Sequence, residues 1–165
     1  MIKIKDTVLK GNGVFAAKAF KIGEVVLVGS IAEENAVNSI WASQIGIDRF
    51  ILHDDVYINV NHSCDSNCGI QVNEDGCHNL IAIKEIEEGE EVTFDYAMEN
   101  YTIDHFPDKC MCGTSRCRGS ITGWKDLSNE LKEEYRPWAA PYLFEMDALV
   151  EAKKFQEALA NSQDT

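Results

Sequence analysis

The sequence predicts a mainly β fold that closes with α-helices at its C-terminal end. Three observations carry this reading: residues 2–9 alternate polar and apolar with β-branched side chains, two glycine-turn-plus-strand segments recur at 22–28 and 83–92, and the pattern changes to a helical period from Asp126.

Taken in order, the alternating run 2–9 meets Gly11-Asn12-Gly13 and then Val14-Phe15-Ala16-Ala17, which is the pattern of a β-hairpin. Gly23 and Gly89 serve as turn residues before buried apolar strands. Between them, residues 33–54 place Trp41, Ile45, Ile47 and Phe50 too irregularly for a regular element, so a short helix or a loop insert is expected there. Further on, Ser128 reads as an N-cap, Leu127, Leu131 and Tyr135 share a face, and Pro137 stops that run. A second helix is expected over about 141–160, where Leu149, Ala152 and Phe155, with Ala148 and Leu159, form an apolar stripe. The stripe is expected to pack on the β domain, with a partner protein or a second copy of the chain as the alternative cover.

The 165 residues, 45% apolar and 26% charged, suit one main domain with a real core. No apolar run approaches the ~20 residues that span a bilayer, and no signal core follows Met1, so a soluble, intracellular protein is expected, cytoplasmic or nuclear, with no membrane partner. The formal net charge of −13 includes 19 acidic against 10 basic side chains in residues 1–120. Direct nucleic-acid binding is therefore disfavoured, whereas a Lys/Arg-rich polypeptide would be attracted. Solubility alone accounts for such acidity equally well.

Cys110, Cys112 and Cys117 lie within eight residues, a crowding typical of metal ligands, and without an export signal this favours a metal over disulfides among the six cysteines. Asn61-His62-Ser63-Cys64-Asp65-Ser66-Asn67, Gly89-Glu90-Glu91-Val92-Thr93-Phe94-Asp95-Tyr96 and Cys110-Met111-Cys112-Gly113-Thr114-Ser115-Arg116-Cys117 follow one another in that order. Together they closely resemble the SET-domain protein lysine methyltransferases over residues 3–120.

That resemblance implies a β-clip SET fold over residues 1–104, a post-SET zinc loop over 105–122 and a helical extension over 123–165. The segment 61–64 would cross, as a threaded pseudoknot, beside the segment carrying Tyr96. It further implies S-adenosyl-L-methionine bound by Gly11, Asn12, Gly13, Asn61, His62 and Tyr96, with Tyr96 as the catalytic phenol. Phe94 would line an apolar channel for the substrate lysine and leave room for more than one methyl group. Cys64, Cys110, Cys112 and Cys117 would hold a structural zinc with no open coordination position. The expected substrate is a lysine in a basic polypeptide, histone-like tails among them, and the C-terminal helices offer a route to oligomers.

Cys68 and Cys77 fall outside the zinc set and read as buried or free thiols. Glu91 and Asp95 are expected to accept hydrogen bonds at the crossing rather than to act as acid and base. Ser66 stands where most members of the family carry proline, and Ile58-Asn59-Val60 replaces the usual Arg-aromatic-aliphatic run. A non-catalytic peptide-binding scaffold is the competing reading, although such degenerate members usually lack the tyrosine or the Asn-His pair kept here.

Overall fold

A computed structural model describes residues 1–106 and 109–163. In chain order its strands are β1 (Ile2–Asp6), β2 (Asn12–Ala16), β3 (Val25–Leu27), β4 (Ile31–Glu34), β5 (Ala42–Gly46), β6 (Arg49–His53), β7 (Asn61–His62), β8 (Cys68–Val72), β9 (His78–Ala82) and β10 (Glu91–Phe94). Two helices follow, α1 (Asn129–Tyr135) and α2 (Tyr142–Gln163). Residues 107–108 of the expected post-SET loop and 164–165 of the expected extension lie outside the described residues.

The expected hairpin forms from β1 and β2, in antiparallel register from Ile2 opposite Ala16 to Asp6 opposite Asn12. Gly11 closes its turn at φ +74°, a conformation open to glycine at no steric cost, and its carbonyl accepts from the Thr7 N–H. Gly13 is glycine for another reason. A Cβ there would stand 2.6 Å from Thr7 Cγ2, 2.8 Å from Glu91 Oε1 and 3.0 Å from Asn61 Nδ2, forcing those side chains to shift.

The main sheet runs β1-β2-β10-β8-β9-β3, and β7 pairs with β10 off that path. The crossing expected from the resemblance is present here. Asn61 lies parallel and opposite Thr93, His62 opposite Phe94, and the Ser63 N–H donates to the Phe94 carbonyl. Two segments 32 residues apart in sequence thus run side by side, and Tyr96 leaves the sheet next to them.

Residues 31–53 are a three-stranded antiparallel sheet, β4-β6-β5, and not the helix or loop expected. Strand alternation is obscured in the sequence because the buried positions of β5 include Ser43 and Gln44. These polar side chains lie inside because partners meet them there: Ser43 Oγ donates to Glu99, and Gln44 Oε1 accepts from the Tyr101 N–H. Hydrophobic periodicity cannot register a strand whose inward face is satisfied by hydrogen bonds.

The helical end shares the main core. Trp124, Leu127, Tyr135, Ala140, Tyr142 and Leu143 are buried among Val14, Leu80, Val92 and Phe94. Ser128 caps α1 as expected, its hydroxyl accepting from the Leu131 N–H. Asp147 anchors the first turns of α2 by accepting from Tyr101 Oη, Trp124 Nε1 and Lys132 Nζ. Beyond this anchor every side chain of α2 from Ala148 to Asn161 is exposed, Phe155 at 67%, although Val150, Glu151 and Lys154 still border a surface cleft with Tyr101, Lys125 and Lys132. The expected packing of the stripe on the β domain is therefore not what the fold does. Strong helix formers at Glu151, Ala152, Lys153, Lys154 and Gln156 continue the helix where its side chains are exposed.

This division of α2 makes a direct prediction. Leu143→Ala is expected to cost about 2–5 kcal/mol in urea unfolding, the range for a cavity in a packed core. Phe155→Ser should stay within about 0.5 kcal/mol, as exposed positions do. Equal costs at the two sites would mean that the far half of α2 is packed.

Candidate active site and thiol cluster

Strand β2, strand β7 and the turn after β10 converge on one place. Asn61 Nδ2 donates to the Asn12 carbonyl at 2.9 Å and to Glu91 Oε1 at 2.9 Å, which locks the hairpin end to the crossing. Glu91 is also paired with Lys10 Nζ at 2.6 Å. Gly11 and Asn12 stay exposed beside this junction, and nothing approaches within 4 Å of the place where a Cβ on Gly11 would stand. An extended ligand can therefore lie along that backbone.

His62 is turned inward. Its Nδ1 accepts from the Tyr96 N–H at 3.3 Å, so Nε2 carries the proton and faces Cys64 Sγ, also at 3.3 Å. Burial, reinforced by the charges of Arg118 and Lys10 against the opposing Asp95, brings its pKa down to about 4. The ring is neutral at physiological pH, and its two nitrogens are committed to the protein, which leaves the main chain of this segment to meet a ligand.

Tyr96 packs edge-on to His62 with ring centroids 5.3 Å apart, and its other neighbours are Phe94 at 5.0 Å and Phe106 at 5.1 Å. Its hydroxyl donates to the Val60 carbonyl at 2.9 Å. Burial, and after it the nearby charge of Glu99, push this phenol well above its ordinary pKa, so it remains a donor throughout the neutral range.

Tyr96 also lines a small pocket with Trp41, Tyr57, Ile58, Val60, Phe94 and Glu99. Phe94 forms part of the pocket wall. The same pocket carries the carboxylate of Glu99, held by Ser43 Oγ at 2.7 Å and Tyr57 Oη at 3.2 Å. Glu99 and Tyr57 escape sequence reasoning because no motif contains them; the nearest signal is Glu99's place three residues after Tyr96.

The four cysteines set apart in the sequence do meet. The sulfurs of Cys64, Cys110, Cys112 and Cys117 all lie within 4.8 Å of one another, and Cys64 and Cys110 are 3.9 Å apart. A tetrahedral ion with metal–sulfur bonds of about 2.3 Å needs sulfurs roughly 3.8 Å apart. Donors already face the cluster: the N–H groups of Arg118, Cys112 and Gly119 point to the sulfurs of Cys64, Cys110 and Cys117, and the Thr114 hydroxyl meets Cys112. Burial pushes the Cys64 thiol up to about 11, whereas the Thr114 contacts overcome burial at Cys112 and lower its pKa. The set fits a closed thiolate site for a thiophilic cation. Cys68 and Cys77 are buried thiols away from it, as expected.

Asp95 joins this cluster to the rest. It is fully buried and accepts from both terminal nitrogens of Arg118, from Tyr135 Oη at 2.9 Å and from the Ala97 N–H at 3.1 Å. The expected role of Asp95 and Glu91 as hydrogen-bond acceptors at the crossing is what their contacts provide. Arg118 was legible only as the residue following Cys117.

A SET-domain model matches residues 11–97, which is more than half of the chain. The chain belongs to the SET-domain family. Among curated relatives, the histone-lysine N-methyltransferase ASHH2 of Arabidopsis thaliana is 39% identical over 69 residues, 39% of this chain and 4% of its own length. The histone-lysine N-methyltransferase Set2 of Drosophila melanogaster is 40% identical over 80 residues, 46% of this chain and 3% of its own. This chain thus spans only a few per cent of these relatives. A crystal structure of KRYPTONITE in complex with mCHH DNA, H3(1-15) peptide and SAH superposes with a TM-score of 0.56 at 24% identity, covering 73% of this chain and 29% of that one. At that identity it bears on the SET fold. Among the described residues no helix is long and apolar enough to cross a membrane.

Arg118→Ala leaves Asp95 charged, buried and without its cation, and is expected to cost about 3 kcal/mol in urea unfolding. Arg116→Ala, at an exposed pair with Glu134, is the control and should cost at most about 1 kcal/mol. Similar losses in the two variants would remove Asp95 from its central place.

Proposed function

We propose that this chain is an S-adenosyl-L-methionine-dependent protein lysine N-methyltransferase module acting on a basic polypeptide, with histone tails as the first substrates to test. The observation that supports it most is the junction of Asn12, Asn61, His62 and Tyr96 on one side of the crossing, with the Phe94–Tyr96 pocket beside it. When bound, the cofactor supplies a methyl group on a positively charged sulfur. Gly11, Asn12, Gly13 and the main chain of Asn61 and His62 would hold it against the crossing.

The substrate lysine would extend its methylenes along Trp41, Ile58, Val60 and Phe94, which line the pocket. A lysine with a pKa near ~10.4 costs roughly 4–5 kcal/mol to neutralise at pH 7. Burial among aromatic side chains lowers that cost by disfavouring the ammonium. Glu99 opposes this effect by attracting the cation, so it would aid entry rather than deprotonation. The Tyr96 phenol, fixed on the Val60 carbonyl, would orient the neutral amine for in-line attack. Phe94 carries no hydroxyl to hold a water in the space for added methyls, which favours products beyond monomethyl-lysine.

Zinc is the proposed occupant of the thiolate site formed by Cys64, Cys110, Cys112 and Cys117. Its role would be structural, since four protein ligands leave no open position. Through Cys64 it would brace the segment that carries His62. The acidic charge of the chain suits a basic partner.

The test is incubation of the protein with methyl-labelled S-adenosylmethionine and a panel of basic proteins including histones, read by mass spectrometry. Methyl-lysine is expected, with Tyr96→Phe lowering transfer by about 100-fold or more at unchanged cofactor affinity. Cofactor binding without transfer to any substrate in the panel would favour the scaffold reading. Separately, Cys112→Ser is expected to reduce bound zinc at the thiolate site and lower the melting temperature. Unchanged zinc content and melting would refute that ligand set.

A further inference from the structure

A second group of metal-capable side chains lies apart from the thiolate site. One ring nitrogen each of His53 and His78 and a carboxylate oxygen of Glu99 all lie within 4.8 Å of one another, and all three residues are buried. They come from three places: His53 ends β6 of the small sheet, His78 begins β9 of the main sheet, and Glu99 follows the 3-10 turn that starts at Tyr96.

Two deficits mark this cluster. Glu99 is a buried carboxylate, held by Ser43, Tyr57, Asn100 and His78, yet among the described residues no lysine or arginine pairs with it. Asp95, the other deeply buried acid near the site, has Arg118. Hydrogen bonds alone also leave His53 incomplete, since its Nε2 is buried without a hydrogen-bond partner; the unpartnered Nε2 of His78 lies across the ring from the Nδ1 that faces Glu99 and is not part of the triangle. Each such atom costs about 1–3 kcal/mol.

The rings cannot easily turn away from one another. His53 stacks on Tyr57 with centroids 3.6 Å apart, and its Nδ1 is 3.5 Å from Cys77 Sγ. His78 donates from Nδ1 to Glu99 at 3.1 Å and stacks on Tyr142. Gly29 admits this crowding: a Cβ there would stand 1.9 Å from the His78 carbonyl oxygen and 3.2 Å from His53 Cε1.

We propose that His53, His78 and Glu99 bind a divalent transition-metal ion, zinc foremost, which clamps the small sheet to the main sheet behind the Tyr96 pocket. Two imidazoles and a carboxylate are a donor set for zinc, with bonds of about 2.0–2.2 Å. Ligand atoms around such an ion stand roughly 3.3 Å apart, so the triangle has to close by no more than about 1.5 Å at any edge. The ion supplies the positive charge that Glu99 lacks and accepts a lone pair from each ring. Where it replaces the hydrogen bond between His78 Nδ1 and Glu99, that proton is released to solvent. The carboxylate in the pocket wall is then neutralised, and the substrate side of the pocket becomes less attractive to a free cation.

The test counts metal and does not depend on methyl transfer. Protein purified with zinc and dialysed is analysed by mass spectrometry for metal per chain, in wild type, His78→Gln and Cys112→Ser. His78→Gln is expected to lose one ion while the thiolate-bound ion stays. A count unchanged by His78→Gln overturns the proposal, whatever the wild-type total. Should that variant fail to fold, cobalt(II) titration of the metal-stripped wild type decides. Cobalt d–d absorption is expected to keep rising by one equivalent after thiolate-to-cobalt charge transfer has saturated; if both saturate together, the histidines bind no ion.

Discussion

The buried carboxylate of Asp95 is the interaction on which the rest of the site depends. A charge removed from water is tolerable only when cations and hydrogen-bond donors surround it. Here the donors come from the cysteine loop through Arg118, from α1 through Tyr135 and from the following turn through Ala97. Two segments distant in sequence, the cysteine loop and α1, are thus obliged to meet at the residue preceding Tyr96. The orientation of that tyrosine follows from the meeting.

Cys64 extends the same logic into the thiol cluster. It lies on the crossing with His62, faces the sulfurs of the loop cysteines, and receives a hydrogen bond from the main-chain N–H of Arg118. A cation held by the four sulfurs therefore acts on the same segment that Asp95 holds from the other side. Metal binding at such a site adds to folding stability and would be felt at the neighbouring backbone of Asn61 and His62. The cysteine loop and the crossing are best understood as one mechanical unit.

The other side of the Tyr96 pocket is built differently. The small sheet β4-β6-β5 attaches through polar side chains, Ser43, Gln44 and His53, that all face the turn after β10. Tyr142 reinforces the join by donating to the main-chain carbonyls of Gln44 and Glu99. The wall opposite the crossing thus owes its position to buried polar contacts, where partner geometry matters more than apolar area. Such an interface specifies one arrangement closely but is costly wherever a partner is missing.

Local patterns in the chain determined the first hairpin, the glycine turns before β3 and β10, the Ser128 cap and the membership of the thiol cluster. These rest on turn stereochemistry, capping and, for Cys110, Cys112 and Cys117, ligand spacing, which act over a few residues; the place of Cys64 in the cluster came from the family resemblance alone. Tertiary structure alone decided that 31–53 is a sheet, that Glu99 faces the pocket, that Arg118 neutralises Asp95 and that α2 runs beyond the core. In each case the deciding term is a partner 20 or more residues away, or the lack of a surface to pack on. Buried Ser43 and Gln44 look like surface residues until their acceptors and donors are in place, and Phe155 looks like a core residue until the helix is seen to extend past the core.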